Sequence, residues 1–416
     1  GSMTLRRVII VGGGVGGASA AAELREAGFD GELVLISDED ELPYERPPLS
    51  KEFLLEHDTP EHPAVKPEEW YAHEDVELMR ATTVMEVDLH ARDVVLGEDR
   101  RLGYDALILA TGVRARRLPI VDGDRVLYVR TADDARLLRA ALADIEHVVV
   151  VGGGWLGCEV AAAARVLRRR ATLITADGLP LQRTVGSMIA GVMAEIHHHK
   201  GVELRRGEQL TGAVQHGDQV EVTTSRAVLE GDLMVIACGS TPNTELAEAA
   251  GLPVDDGILV DEFCRTPADG VYAIGDVARQ RHPQYPEPLR VEHHDNAHHQ
   301  ARCAVRDILG TGEPFADAHW FWSDQYDHSL QAVGRIDDPE DVIVRGSVEE
   351  RSFSVVGLRD GRLRFVVSLD RPRDVIEARR ILFTEHQLTA EQVADATVPL
   401  KRMVTPDRRR VAAAEG

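Results

Sequence analysis

Two glycine turns of the same kind, 140 residues apart, constrain this chain more than any other feature. The first, Gly12-Gly13-Gly14-Val15-Gly16-Gly17, follows the apolar run Val8–Val11 and opens an alanine-rich stretch over Ala18–Ala27. The second, Gly152-Gly153-Gly154-Trp155-Leu156-Gly157, follows His147–Val151 and opens Cys158–Leu167. In such a turn the first glycine permits the sharp bend, the second lets a pyrophosphate approach the backbone, and the third lets helix and strand pack closely. The phosphates then face the helix N-terminus, where unpaired amides and the dipole favour negative charge. Each helix leads into another apolar run, Leu33–Ile36 or Ala171–Thr175, so the chain reads as βαβ units with parallel sheets. Two dinucleotides are implied.

An acid about 20 residues beyond such a turn accepts hydrogen bonds from an adenosine ribose. Asp38, just past Leu33–Ile36, is placed for that role, with Glu39 its close competitor. At the second site Thr175 stands at the strand end instead of an acid. A threonine there would not repel a 2′-phosphate, and Arg183 and Arg168-Arg169-Arg170 are near enough in sequence to reach one. The arginines read equally as a solvated helix end, so NADPH stays open beside NADH. Val271–Asp276 is a short strand ending in Gly-Asp, and Asp276 suits a ribityl hydroxyl with a helix N-terminus facing the phosphate. That assigns FAD to the first turn. Gly239, in the bend Cys238–Asn243, falls on the nicotinamide side.

The chain has 416 residues, 44% hydrophobic and 28% charged, which suits two or three globular domains. Gly1 and Ser2 read as a cleavage remnant. No apolar run reaches the roughly 18 residues of a bilayer span, and no signal-like segment precedes the first strand, so the expected location is the cytoplasm. A net charge of −23 argues against nucleic acid or anionic membrane as the main partner. The deficit is uneven: residues 319–416 hold 15 Lys and Arg against 17 Asp and Glu, while the other 318 hold 32 against 53. The tail segment is therefore nearly neutral and locally basic. Its alternating runs Ser352–Leu358 and Leu363–Leu369, then a helix over Arg373–Glu385, predict a separate α+β domain. The four cysteines, Cys158, Cys238, Cys264 and Cys303, form no C-x-x-C spacing and read as free thiols.

The order of the two turns, Ala110-Thr111-Gly112, Cys238–Asn243 and Val271–Asp276 resembles the two-dinucleotide flavoprotein superfamily of disulfide reductases over about residues 5–318. Redox cysteines typical of that group are missing. Pro47-Pro48-Leu49-Ser50-Lys51 and Trp320–Asp327 instead resemble the oxygenase-coupled ferredoxin reductases, and that likeness extends to about Val404. The resemblance implies a glutathione-reductase-like α/β fold with two Rossmann-like domains plus a C-terminal α+β domain. FAD-binding parts are expected at 4–112 and 244–318, the NAD(P)H-binding part at 113–243, the third domain at 319–404, and a disordered tail at 405–416.

The same resemblance puts Lys51 near the flavin, paired with Glu159, as the catalytic pair. A buried lysine favours an anionic reduced flavin, and the carboxylate limits the cost of burying it. Arg130, Trp322, His294 and Val84 join Gly12, Gly14, Gly16, Gly17, Asp38 and Asp276 in the FAD set. Gly152, Gly154, Gly157, Glu159, Thr175, Arg183 and Gly239 form the NAD(P)H set. One departure stands out: the family frame Arg-x-Glu-x-x-x-x-Ala-x-x-Gln appears as Arg290–Gln300 with four histidines filling its variable places. His294 and His298, beside Asp295, have metal-ligand spacing, although no metal is assigned. His197-His198-His199 reads as an exposed helix end, and Cys158 as a packing residue or a thiol of lowered pKa.

The expected activity is hydride transfer from NAD(P)H to flavin, then single electrons to a [2Fe–2S] ferredoxin serving a P450 or Rieske-type oxygenase. The acidic partner would dock near Arg302, Arg379, Arg380, Lys401 and Arg402, with the protein a monomer or homodimer. The competing readings are an NADH-gated binding protein like apoptosis-inducing factor, and a rubredoxin reductase or NAD(P)H oxidase.

Overall fold

A computed structural model describes residues 4–45, 64–120, 123–129, 132–337 and 339–404. Lys51 with its proline-rich segment, Arg130, and the tail 405–416 lie outside the described residues.

The apolar runs form two parallel sheets of five strands each. In the first, the strand order is Val271–Ala273, Ala106–Leu109, Arg7–Val11, Glu32–Ile36, Val76–Met79. In the second it is Glu203–Arg206, Arg170–Thr175, His147–Val151, Leu233–Ile236, Val126–Tyr128. Central strands such as Val8–Val11 and Val148–Val151 are covered on both faces, so their sequences are continuous runs of aliphatics rather than alternating ones. A two-stranded antiparallel ribbon, Val113–Ala115 with Ser240–Pro242, marks where the chain crosses between the units. The chain then returns through Val271–Ala273 to the outer edge of the first sheet.

The helices Val15–Glu26 and Trp155–Val166 start directly at the glycine turns. Both bury a face of small residues, Gly16 to Ala21 in one and Ala161 to Ala164 in the other. Small side chains bring each helix close to its sheet. The first is covered by the helix His294–Ile308, where Ser19 Oγ lies 2.7 Å from His298 Nδ1.

The C-terminal domain is a five-stranded antiparallel sheet in the order Trp320–Gln325, His328–Gly334, Arg362–Leu369, Ser352–Arg359, Asp341–Ser347. The helix expected over Arg373–Glu385 runs Pro372–Ile381 instead. It stops where Leu382 turns extended and Phe383 takes a positive φ of 66°. A buried ion pair, Arg345 with Asp374 at 3.3 Å, fastens sheet to helix. Burial pushes the Asp374 carboxyl up, but hydrogen bonds from Arg371 and Ser354 and the Arg345 charge outweigh it and hold the carboxyl low.

Strand Trp320–Gln325 alternates, with Phe321, Ser323 and Gln325 buried between Trp320, Trp322 and Asp324. The buried set meets the second unit. Phe321 packs edge-on against Trp155 at 4.4 Å between ring centres. Gln325 and Tyr326 bond the two ring nitrogens of His197, at 3.0 and 2.7 Å. His197 is thus buried, not exposed as its place in a histidine run suggested; only His198 and His199 face solvent. The neighbouring strand ends supply the partners that make its burial tolerable.

Candidate functional site

Both glycine turns open on one cleft of about 1180 Å³. That exceeds the roughly 300–1,000 Å³ of a pocket for one drug-sized ligand. Its walls come from all three units. Gly12, Gly14, Gly16, Asp38, Val84, Asp276 and His294 line the first side. Gly154, Glu159, Arg183 and Gly239 line the second, and Trp322 closes it from the C-terminal domain.

The first and last glycine of each motif are required for packing. At Gly12 and Gly152 φ is +129° and +126°, and a Cβ would overlap the carbonyl oxygens of Ala110 and Ala237. A Cβ on Gly17 or Gly157 would strike the carbonyl oxygen of Gly12 or Gly152. These positions bring helix, turn and neighbouring strand together, leaving bare backbone facing the cleft. A Cβ on Gly14 or Gly154 would meet no protein atom within 4 Å and would enter the open cleft, so the bare backbone there fits a pyrophosphate on each side.

The acids past the first turn divide the work. Asp38 is exposed at the cleft rim, whereas Glu39 accepts a hydrogen bond from Tyr44 Oη at 3.0 Å. Past the second turn the register differs from expectation. Gly12 N donates to Ile36 O and Gly152 N to Ile174 O, at 2.9 and 3.0 Å. Thr175 therefore corresponds to Ser37, not to Asp38. Consistent with this, an added Cβ on Gly13 would meet Ser37, and one on Gly153 would meet Thr175. Thr175 is buried, and its hydroxyl donates to the carbonyls of Asp177 and Gly178. The position matching Asp38 is Ala176, and the one matching Glu39 is Asp177. Exposed Arg183 pairs with Asp177 at 2.9 Å.

Arg169 and Arg170 are at the far end of the strand. Arg169 donates to the carbonyls of Leu142 and Ala143, and Arg170 lies 3.9 Å from Glu203. Five strand steps, roughly 16 Å, separate Arg170 from Thr175, so this run does not reach the cleft.

Glu159 points into the cleft from the helix Trp155–Val166, and Ser323 Oγ donates to it at 2.8 Å. The third domain thus orients the carboxylate that the second unit supplies. Cys158 beside it is fully buried, and burial together with the Glu159 charge pushes its thiol up, the reverse of an activated cysteine. Burial likewise raises the Asp324 carboxyl and lowers His293 to about 4 and His319 to about 3. The cleft wall therefore carries neutral imidazoles at physiological pH.

Arg290 and Glu292 were not assigned from sequence, yet both line the cleft. Arg290 reaches Asp256 at 3.3 Å and Glu292 at 3.4 Å, and Ser240 Oγ donates to Glu292 at 2.7 Å. Their signal was the Arg-x-Glu frame itself. Thr111 and Asn243 strap the two units through reciprocal bonds of 2.7 and 2.8 Å. Trp322, 44% exposed, stacks on Trp320 at 4.9 Å, and the Arg379 guanidinium lies over Trp320.

Residues 6–301 match the model of the family described as pyridine nucleotide-disulphide oxidoreductase. The chain belongs to that family. A second model, the reductase C-terminal domain, matches residues 320–404. Among curated relatives, rhodocoxin reductase of Rhodococcus erythropolis is 38% identical, covering 95% of this chain and 93% of the relative. Putidaredoxin reductase of Pseudomonas putida is 34% identical over 98% and 99%. Among solved structures, the ferredoxin reductase for the CYP199A2 system from Rhodopseudomonas palustris has a TM-score of 0.91 and 36% identity, covering 96% of this chain and all of that one. The covalent putidaredoxin reductase–putidaredoxin complex matches with a TM-score of 0.91, 34% identity and 99% coverage of both chains. Members of this family use FAD and NAD(H), and the two cradles on one cleft accord with that pair. The two-Rossmann-plus-α+β architecture expected from sequence is the one found.

Proposed function

We propose that this protein is an FAD-dependent NAD(P)H:ferredoxin reductase whose acceptor is a [2Fe–2S] ferredoxin feeding a P450 or Rieske-type oxygenase. One observation carries the reading: both dinucleotide cradles share a single cleft capped by the C-terminal strand Trp320–Gln325. The relatives at 34–38% identity over nearly full length are named rhodocoxin reductase, putidaredoxin reductase and the ferredoxin–NAD(+) reductase component of an anthranilate 1,2-dioxygenase system. Among the described residues no cysteine lines the cleft, which leaves onward transfer to an external acceptor rather than to a thiol pair.

The first cradle, with Asp38 and Asp276, would hold FAD, and the second, with Gly154 and Arg183, would hold the nicotinamide coenzyme. When bound, flavin supplies the conversion from a two-electron donor to one-electron release. The residues here supply alignment and exclusion of water. Glu159, fixed by Ser323, presents a carboxylate in the cleft, and we assign Lys51 as its cationic partner. Trp322 screens the mouth.

The acceptor surface is proposed on the third domain. Arg379 and Arg302 already have partners, Asp295 at 3.1 Å and Glu23 at 3.4 Å. Arg380, Lys401 and Arg402 are exposed and form the stronger part of the surface. No helix among the described residues is long and apolar enough to cross a membrane. The proposed setting is the cytoplasm, as a monomer or homodimer.

Anaerobic stopped-flow reduction with NADH and with NADPH, followed by mixing with a [2Fe–2S] ferredoxin, tests the reading. Fast flavin bleaching followed by ferredoxin reduction is expected. A charge-transfer band lasting minutes, with no onward transfer to several ferredoxins, would replace it with an NADH-gated binding protein. Reversing Arg380, Lys401 and Arg402 to glutamate should raise the ferredoxin KM about tenfold and flatten its salt dependence, with ferricyanide reduction unchanged. Unaltered salt dependence would remove this surface from the docking site.

A further inference from the structure

We propose that Glu45, His294 and His298 bind one divalent transition-metal ion of the zinc class at the edge of the cleft. His294 and His298 are four residues apart on the helix His294–Ile308, so both imidazoles project from one face, with ring centres 4.5 Å apart. Glu45 comes from a different part of the chain, beside the short bridge between Tyr44 and Ala64. Its Oε1 lies 3.0 Å from His294 Nε2. One ligand atom from each of the three residues falls within 4.8 Å of the others, with all three side chains half-buried.

Two further observations point to a cation. The His294 Nε2 atom is buried and has no hydrogen-bond partner, although a carboxylate oxygen faces it. A nitrogen lone pair and a carboxylate that converge without a hydrogen bond suit a shared positive ion. Ser19 Oγ holds His298 Nδ1 at 2.7 Å, which orients the ring and leaves Nε2 as its remaining ligand atom. An outer partner of this kind is typical of metal-binding histidines.

The neighbouring titratable groups are committed elsewhere. Asp295, adjacent in sequence, bonds Arg379 at 3.1 Å and lies 3.6 Å from His299. His299 reaches Asp317 at 3.1 Å. The acid of the site is therefore Glu45 and not Asp295.

Two imidazoles and one carboxylate are a ligand set that zinc uses when it keeps a fourth position open. Bonds of about 2.0–2.2 Å in a tetrahedron put ligand atoms about 3.4 Å apart, so closing the site needs only side-chain rotation. Affinity for copper(II) should exceed that for zinc, since this nitrogen–oxygen set follows the first-row order.

The test is calorimetric titration of the EDTA-treated, FAD-loaded protein with zinc chloride, together with anomalous diffraction at the zinc edge. One ion per chain with micromolar affinity is expected, with an anomalous peak between the three side chains. H298A and, independently, E45Q should each weaken binding at least tenfold. Retained 450-nm flavin absorbance and an unchanged urea midpoint identify a folded variant. The exposed alternative is the helix end, so H198A/H199A should leave the titration unchanged. Wild-type binding no tighter than that of both H298A and E45Q would overturn the proposal. So would an ion lost in H198A/H199A but kept in H298A.

Discussion

The two glycine turns share a backbone but not a setting. Behind each, an added Cβ on the last glycine would strike the first glycine's carbonyl, so the packing geometry is the same. Past the strand they diverge. Ser37-Asp38-Glu39 in one becomes Thr175-Ala176-Asp177 in the other. Their covers differ too. The first helix lies under the helix His294–Ile308, whereas the second meets a strand of a separate domain. A repeat of backbone thus carries two specificities, set by a few side chains at the strand end and by the element laid on top.

The largest expected effect comes from breaking one turn and sparing the other. G17V should abolish FAD retention, seen as lost absorbance near 450 nm, while G157V should keep flavin and raise the NADH KM roughly hundredfold. Loss of flavin from both would mean that the turns are not separable.

Next in size is the strand-end difference. A176D should move the kcat/KM ratio of NADH to NADPH about tenfold toward NADH, because it restores an acid where Asp38 stands in the first unit. T175D should instead lower yield and thermal stability, since that position is buried and a lone carboxylate there has no compensating charge. A coenzyme switch from T175D with no loss of stability would overturn the register drawn here.

The cover can be probed more gently. S323A removes the hydroxyl that donates to Glu159 and should slow flavin reduction about fivefold, with little change in the melting temperature. No change in that rate would assign Ser323 to packing alone.

A separate effect falls on the pH dependence of stability. Burial lowers His197 to about 4, partly offset by the Gln325 hydrogen bond, and lowers His293 to about 4. Their folded pKa values lie below the ordinary imidazole value, so the unfolded chain takes up protons first as pH falls. The stability is fully present above about pH 6.5 and is lost toward pH 4, at about 1.4 kcal/mol per pH unit for each such group. H197N should reduce the proton uptake on unfolding at pH 5 by about one, read from urea midpoints across that window.

Much of the fold was legible because its signals are local. Val148–Val151 could only be a strand buried on both faces, and six residues of glycine motif define their own turn. Asp38 and Asp276 were legible because each is placed by a strand and a glycine beside it, whereas Glu159 came from the family resemblance alone. The C-terminal helix was placed but overrun by four residues, since its end depends on Leu382 and Phe383 leaving the helical region, not on a proline or glycine. His197 was misjudged because its partners, Gln325 and Tyr326, are about 130 residues away in sequence.

By itself, then, the sequence determined the two βαβ units, the pair of dinucleotides and the separate third domain, because strand, turn and helix preferences act over a few residues. Only the tertiary structure decided that both turns face one cleft and that Ser323 orients Glu159. It alone paired Glu45 with two histidines nearly 250 residues away. Those outcomes depend on how separately folded layers pack, and no local preference encodes the distance between side chains that meet only across an interface.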